Sequence, residues 1–99
     1  MKVIELNFKN TIAGLAGFKY GQEVYEKHAE DILGNLENND KIIIRFPNNI
    51  QRIASSFIQG FFSVLIQKYG VTYIKEKINI KSIDERLEKQ VMDKIDLIG

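Results

Sequence analysis

The chain has 99 residues, enough for one domain (1–99), and no cysteine, which excludes disulfides, thiolate nucleophiles and cysteine-ligated zinc. Fourteen basic and 13 acidic side chains leave a net charge of +1. That is too little to neutralise a nucleic-acid backbone or to hold an anionic membrane surface. Apolar residues make up 44% of the chain, with six Phe and four Tyr among them, so a real core is affordable. No apolar run is long enough for a signal peptide or a membrane span, and a cytoplasmic protein is expected.

Residues 2–8 alternate, with Ile4, Leu6 and Phe8 on one side, and predict a half-buried strand. Residues 9–19 are Gly-rich and irregular, anchored by Ile12, Leu15 and Phe18, with room for a further strand. From 20 to 37 the period changes. Val24, Tyr25, His28, Ala29, Ile32, Leu33 and Leu36 form one helical stripe, and the Asn38-Asn39-Asp40 turn ends it. Residues 41–46 hold three consecutive Ile and then Arg45 and Phe46, the pattern of a central strand buried on both faces. Pro47 stops it.

A second helix is predicted over 56–69, closed by Gly70 just past its end. Phe57, Phe61 and Leu65 should pack on the sheet opposite Ile42 and Ile44. Residues 71–80 alternate and read as a third strand. Ser82 and Glu85 have capping-box spacing and open a last helix over 82–98, with Ile83, Leu87, Val91, Ile95 and Ile98 buried. Strands alternating with amphipathic helices imply crossover connections, and so an α/β fold with a small, mainly parallel sheet.

His28 is the only histidine, and one imidazole has no ligand spacing for a metal and no marked nucleophile to serve. It reads as a packed or half-exposed helix residue. The glycines of 14–21 do not spell a phosphate-cradling loop, and no cofactor is expected. The second helix is more informative. Ser56 and Gln59 have the spacing of a cap, and Gly60 falls inside the helix, where it costs about 1 kcal/mol relative to Ala. Ser56, Gly60, Ser63 and Gln67 line the side opposite the large apolar residues. Two readings of this narrow stripe stay open: a docking surface, or a crowded contact with the Gly-rich loop. Arg45, at the carboxyl end of the central strand, should share an edge with Asn48, Asn49, Ser55 and Ser56, since open parallel sheets bind ligands at such ends. The alternative for Arg45 is an ion pair with a local acid, or simple exposure to water beside Pro47.

A buried strand ending in Phe, a short loop and Ser-Ser-Phe at a helix start together resemble a family of bacterial and phage STAS-like domains of unknown function. These are relatives of the STAS anti-sigma-factor antagonists. The stretch Lys41 to Phe62, containing IIIRFPNNIQRIASSFIQGFF, carries the resemblance most clearly. It implies a SpoIIAA-like fold and a regulatory module that binds a protein, with a histidine-kinase-like ATPase as one candidate partner. In the antagonists the second serine of the pair is phosphorylated, which points to Ser56 here. Ala54 stands where they carry an acid, and Phe57 where they carry Gly. The partner-binding residues expected on this basis are Ser55, Ser56, Gly60, Ser63, Arg45 and Asn48. A homodimer is compatible with the sequence. Three classes of function are weighed: the regulatory module, a small-ligand or nucleotide/anion-binding domain built on Arg45 and the second helix start, and an enzyme. The last ranks lowest, because no acid, base and nucleophile set is marked.

Overall fold

In the computed structural model, which describes residues 1–98, three parallel strands make the main sheet. They are β1 (Lys2–Glu5), β3 (Ile42–Arg45) in the centre and β5 (Ile78–Lys81). Between them in sequence lie β2 (Gly14–Leu15), α1 (Phe18–Glu37), β4 (Arg52–Ile53), α2 (Ser55–Tyr69) and α3 (Val71–Lys77), and α4 (Glu85–Asp96) closes the chain. The family of strand–helix–strand units expected from the switching period is present, and residues 41–46 do hold the central strand. No helix is long and apolar enough to cross a membrane among the described residues.

The register aligns Ile4 with Ile44 and Ile80, and Lys2 with Ile42 and Ile78. These even-numbered positions face the helices, and apart from Lys2 at the sheet edge they are buried. The odd-numbered positions face the other way. Val3 and Ile43 are half-buried there, while Glu5, Arg45, Asn79 and Lys81 are exposed. The strand of three Ile residues is therefore covered on one face only, contrary to its composition. The reason is topological. Strand order β1-β3-β5 runs in one direction across the sheet, and crossovers of one hand then place every helix on the same side. A helix on the second face would need the strand order to reverse.

The core gathers around α2. Phe57, Phe61 and Leu65 are buried in the same core cluster as Ile42 and Ile44. Phe57 and Phe61 stack at 6.3 Å, and Tyr25 of α1 meets Phe61 edge-on at 5.8 Å. The Gly-rich stretch does contribute a strand, but not to the main sheet. Gly14 and Leu15 pair in parallel with Arg52 and Ile53 as a separate two-stranded ladder.

Two local expectations give way. Residues 71–77 are helix α3, and only Ile78–Lys81 is strand. Gly70, at φ 84°, takes a backbone shape that side chains resist; it breaks α2 and lets α3 begin at once. The start of α4 also differs. Asp84, not Ser82, caps it, its Oδ1 accepting from the Leu87 N–H at 2.8 Å. Ser82 lies outside the helix and donates its backbone N–H to Glu88 Oε2 at 2.8 Å. Ile83, expected in the buried stripe, is exposed, whereas Leu87, Val91 and Ile95 are buried.

Candidate functional site

Both α1 and α2 follow the carboxyl end of a strand and return antiparallel to the sheet, so their N-termini lie at the same end of the molecule. They meet at Ser56. Its Oγ accepts the Gly17 N–H at 2.9 Å, so a hydroxyl of α2 holds the first turn of α1. The expected Ser56–Gln59 cap is therefore replaced by a bond between helices. Ala54 occupies the cap position of α2 with no side-chain hydrogen bond, and Gly17 does the same for α1. Neither helix carries an acid in its first turn. Two partial positive charges thus converge without a counter-charge from their own helices. Ser55 is exposed beside them and Ser56 is half-buried.

Gly60 must be corrected as a surface residue. It is buried, and a methyl built on it would collide with the Phe18 carbonyl. Gly21 is its counterpart: a methyl there would strike the Phe57 carbonyl and crowd the Phe61 nitrogen at 2.8 Å. The backbones of α1 and α2 approach so closely that neither glycine can be replaced without moving a helix. Of the two readings of the small stripe, the contact with the Gly-rich segment holds at Gly60. Ser63, half-buried one turn further on, donates Oγ to the Gly60 carbonyl at 3.3 Å.

The seam nonetheless leaves apolar surface open. Phe18 is 45% exposed and Val64 is 43% exposed. Phe18 was expected as a buried anchor; its backbone does the packing and its ring stays outside. Val64 lies one turn beyond Gly60 on α2, and Gly60 rests on the Phe18 carbonyl. In the sequence both read as apolar packing residues and neither as part of a site. The available signal was Gly60 itself: a notch deep enough for a backbone must have a rim.

Arg45 does not join this group. It sits on the open face of the sheet, where Nη1 donates to Glu5 Oε1 at 2.9 Å, both side chains being more than half exposed. A pair this exposed contributes little stability. Its position also removes the crevice argument, because a sheet whose strand order never reverses has no switch point. Asn48 is exposed in the loop after β3. The neighbour Asn49 has the structural role, its Nδ2 donating to the carbonyls of Lys9 (3.1 Å) and Ile12 (2.7 Å).

Two cavities lie outside the seam. One, of about 600 Å3, lies between the β2–β4 ladder and α4, with Arg52, Gln90 and Lys94 on its walls. Lys94 Nζ is already committed to the Ile53 carbonyl at 2.7 Å. The other, of about 330 Å3, is bounded by the loop after β1 and by α1, and includes His28. Burial lowers the His28 pKa below its ordinary 6.5, Lys27 adds to this, and Asp31 opposes it. No group of three or more His, Cys, Asp or Glu poised to hold a metal occurs among the described residues.

No significant match is found among curated proteins or among solved structures. Residues 20–88, more than two-thirds of the chain, match the family described as a STAS-like domain of unknown function (DUF4325). The match begins within α1 and ends within α4, so it takes in the glycine seam, the Ser55-Ser56 pair and two of the three main strands. The chain belongs to this family of STAS-like domains.

Proposed function

We propose that this STAS-like domain is a non-enzymatic regulatory module that binds a protein partner at the end of the α1–α2 seam. The observation that carries the reading is the exposed ring of Phe18 at the start of α1, next to the α2 hydroxyls Ser55 and Ser56 where two helix N-termini lack acids, with exposed Val64 further along α2. Apolar anchors rimmed by hydrogen-bonding groups suit a protein interface. Ser55, Ser56 and Ser63 supply the polar rim. Asn48 and Arg45 lie outside this patch in the reading.

The family resemblance extends the proposal to a kinase-like ATPase as partner and to Ser56 as its phosphorylation site. The local physics is compatible. A phosphate on Ser56 would stand at the positive end of two helices, and it would strain the Gly17–Ser56 bond that fixes the start of α1. The charge would alter both the seam and the face a partner sees.

The test uses a photo-crosslinking side chain at Val64 in the native host, with the same group at Asn79 on the open sheet face as control. A protein captured from Val64 but not from Asn79, and lost when Ser56→Asp is added to a folded chain, supports the reading. Equal capture from both positions, or capture from Asn79 alone, places the partner surface elsewhere. Phosphate found on the chain at a residue other than Ser56 would remove the proposed switch while leaving the docking face standing.

A further inference from the structure

The smaller cavity holds a chemical pattern that the seam does not. Its apolar wall is Phe8, Ile12 and Tyr20, and its polar rim is Lys9, Lys27 and His28. Phe8 and Tyr20 stand edge-to-face with centroids 6.2 Å apart, and both lean on buried Phe57, at 6.4 and 5.5 Å. The aromatic wall is thus fixed to the core. The loop that carries Phe8, Lys9 and Ile12 is also fixed. Asn49 donates to the carbonyls of Lys9 and Ile12, and the Ile12 N–H closes a turn onto the Lys9 carbonyl at 2.9 Å. A cavity bounded by held elements keeps its shape without a ligand, which lowers the cost of binding.

Charge sorts the same way. Across the whole chain 14 basic and 13 acidic side chains nearly cancel. None of the residues lining this cavity is acidic, and two lysines and the single histidine converge on it. Neither Lys9 nor Lys27 takes part in an ion pair among the described residues. An unpaired cationic rim over an aromatic wall selects a ligand that is flat, apolar on its faces and negative at one end.

We propose that this cavity binds a small planar aromatic anion, its ring against Phe8 and Tyr20 and its negative group at Lys9 and Lys27. A volume of about 330 Å3 suits one ring system with a short charged arm, not a larger cofactor. A nucleoside monophosphate and an aromatic carboxylate share this chemistry. The site is separate from the proposed docking face: it involves none of Ser55, Ser56, Ser63 or Val64.

The full chain, isotopically labelled, would be titrated by NMR with AMP, 4-hydroxybenzoate, adenosine and inorganic phosphate. Saturable shifts at Phe8, Ile12, Tyr20 and His28 with AMP or 4-hydroxybenzoate are expected, and which of the two binds tighter identifies the source. Adenosine, which lacks the negative group, and phosphate, which lacks the ring, should each bind at least about tenfold more weakly, the cost of losing a charge-assisted contact in the first and the aromatic contact in the second. Lys27→Gln, at an exposed helix position, should keep a dispersed spectrum and weaken binding by about the same factor. Lys9→Gln provides the same measurement from the loop side. No saturable shift with either aromatic anion at millimolar concentration overturns the proposal. So do unchanged affinity in both lysine variants and shifts that gather at Arg52 and Lys94 instead. None of these outcomes bears on the crosslinking result at Val64, so the two readings stand or fall separately.

Discussion

The α1–α2 seam and the docking of α4 solve the same problem in opposite ways. α4 meets the rest of the molecule through a stripe of bulky side chains, Leu87, Val91 and Ile95. α1 and α2 meet where side chains have been removed, at Gly21 and Gly60, so that backbone touches backbone. A stripe of branched side chains can shift by fractions of an ångström and repack. A backbone carbonyl held in its own helical ladder cannot. The contrast implies that α4 should suffer mainly from lost atoms, and the seam mainly from added ones.

The largest effect is expected where the seam is filled. Gly60→Leu should abolish the cooperative urea transition, and Gly60→Ala should cost about 3 kcal/mol or more, the upper range of overpacking, although Ala is the better helix former. A midpoint unchanged in Gly60→Ala would show that the helices can part without loss and would end the contrast. On the other side, Ile95→Ala should lower stability by about 2–5 kcal/mol, whereas Ile95→Leu should lose less than about 1.5 kcal/mol because the stripe can repack. Equal losses in the two variants would mean that α4 is as unyielding as the seam. The smallest effect belongs to Tyr25, which faces Phe61 across the seam. Its hydroxyl is buried with no hydrogen-bond partner, and burial raises its pKa, with Tyr69 adding to the shift. Tyr25→Phe removes an atom and an unsatisfied polar group together, so the denaturation midpoint should hold or rise slightly. A clear drop would reveal a partner for that hydroxyl and sharpen the account of what fills the seam.

Much of the architecture was legible in the sequence where period and punctuation agree. α1 and α2 announce themselves by stripes that end at Asn38 and Gly70, α4 by Leu87, Val91 and Ile95, and Ile42–Ile44 marks the central strand. α3 is hidden because residues 71–80 read as an alternating strand, yet Val71, Ile74 and Ile78 also recur at spacings of three and four residues. A helix of seven residues is too short for its period to outweigh the competing one. The open sheet face was illegible for another reason. Three consecutive Ile residues describe a strand, while the number of layers around it depends on the direction in which successive strands are added. At the candidate site, Gly60 could be singled out as unusual but not oriented. A lone glycine on a helix looks the same in sequence whether it admits a partner or a neighbouring carbonyl. Arg45 is legible along the strand but not across it, because its partner Glu5 lies 40 positions away, although an ion pair is among its readings.

The paired notches also bear on how the chain finds its native arrangement. Two amphipathic helices that approach along smooth apolar stripes can dock in several registers, each offset by one turn. Here such a slip would present Val64 or Ser56 to the Phe18 carbonyl in place of Gly60, and would bring a side chain where only a hydrogen fits. Compact but misaligned states are thereby raised in energy relative to the native one. Contacts that join positions about 40 residues apart, such as Gly17 with Ser56, form only once that alignment is reached. A missing atom at each of two positions thus narrows the set of collapsed states that compete during the search, and widens the energy gap that makes folding to one structure possible.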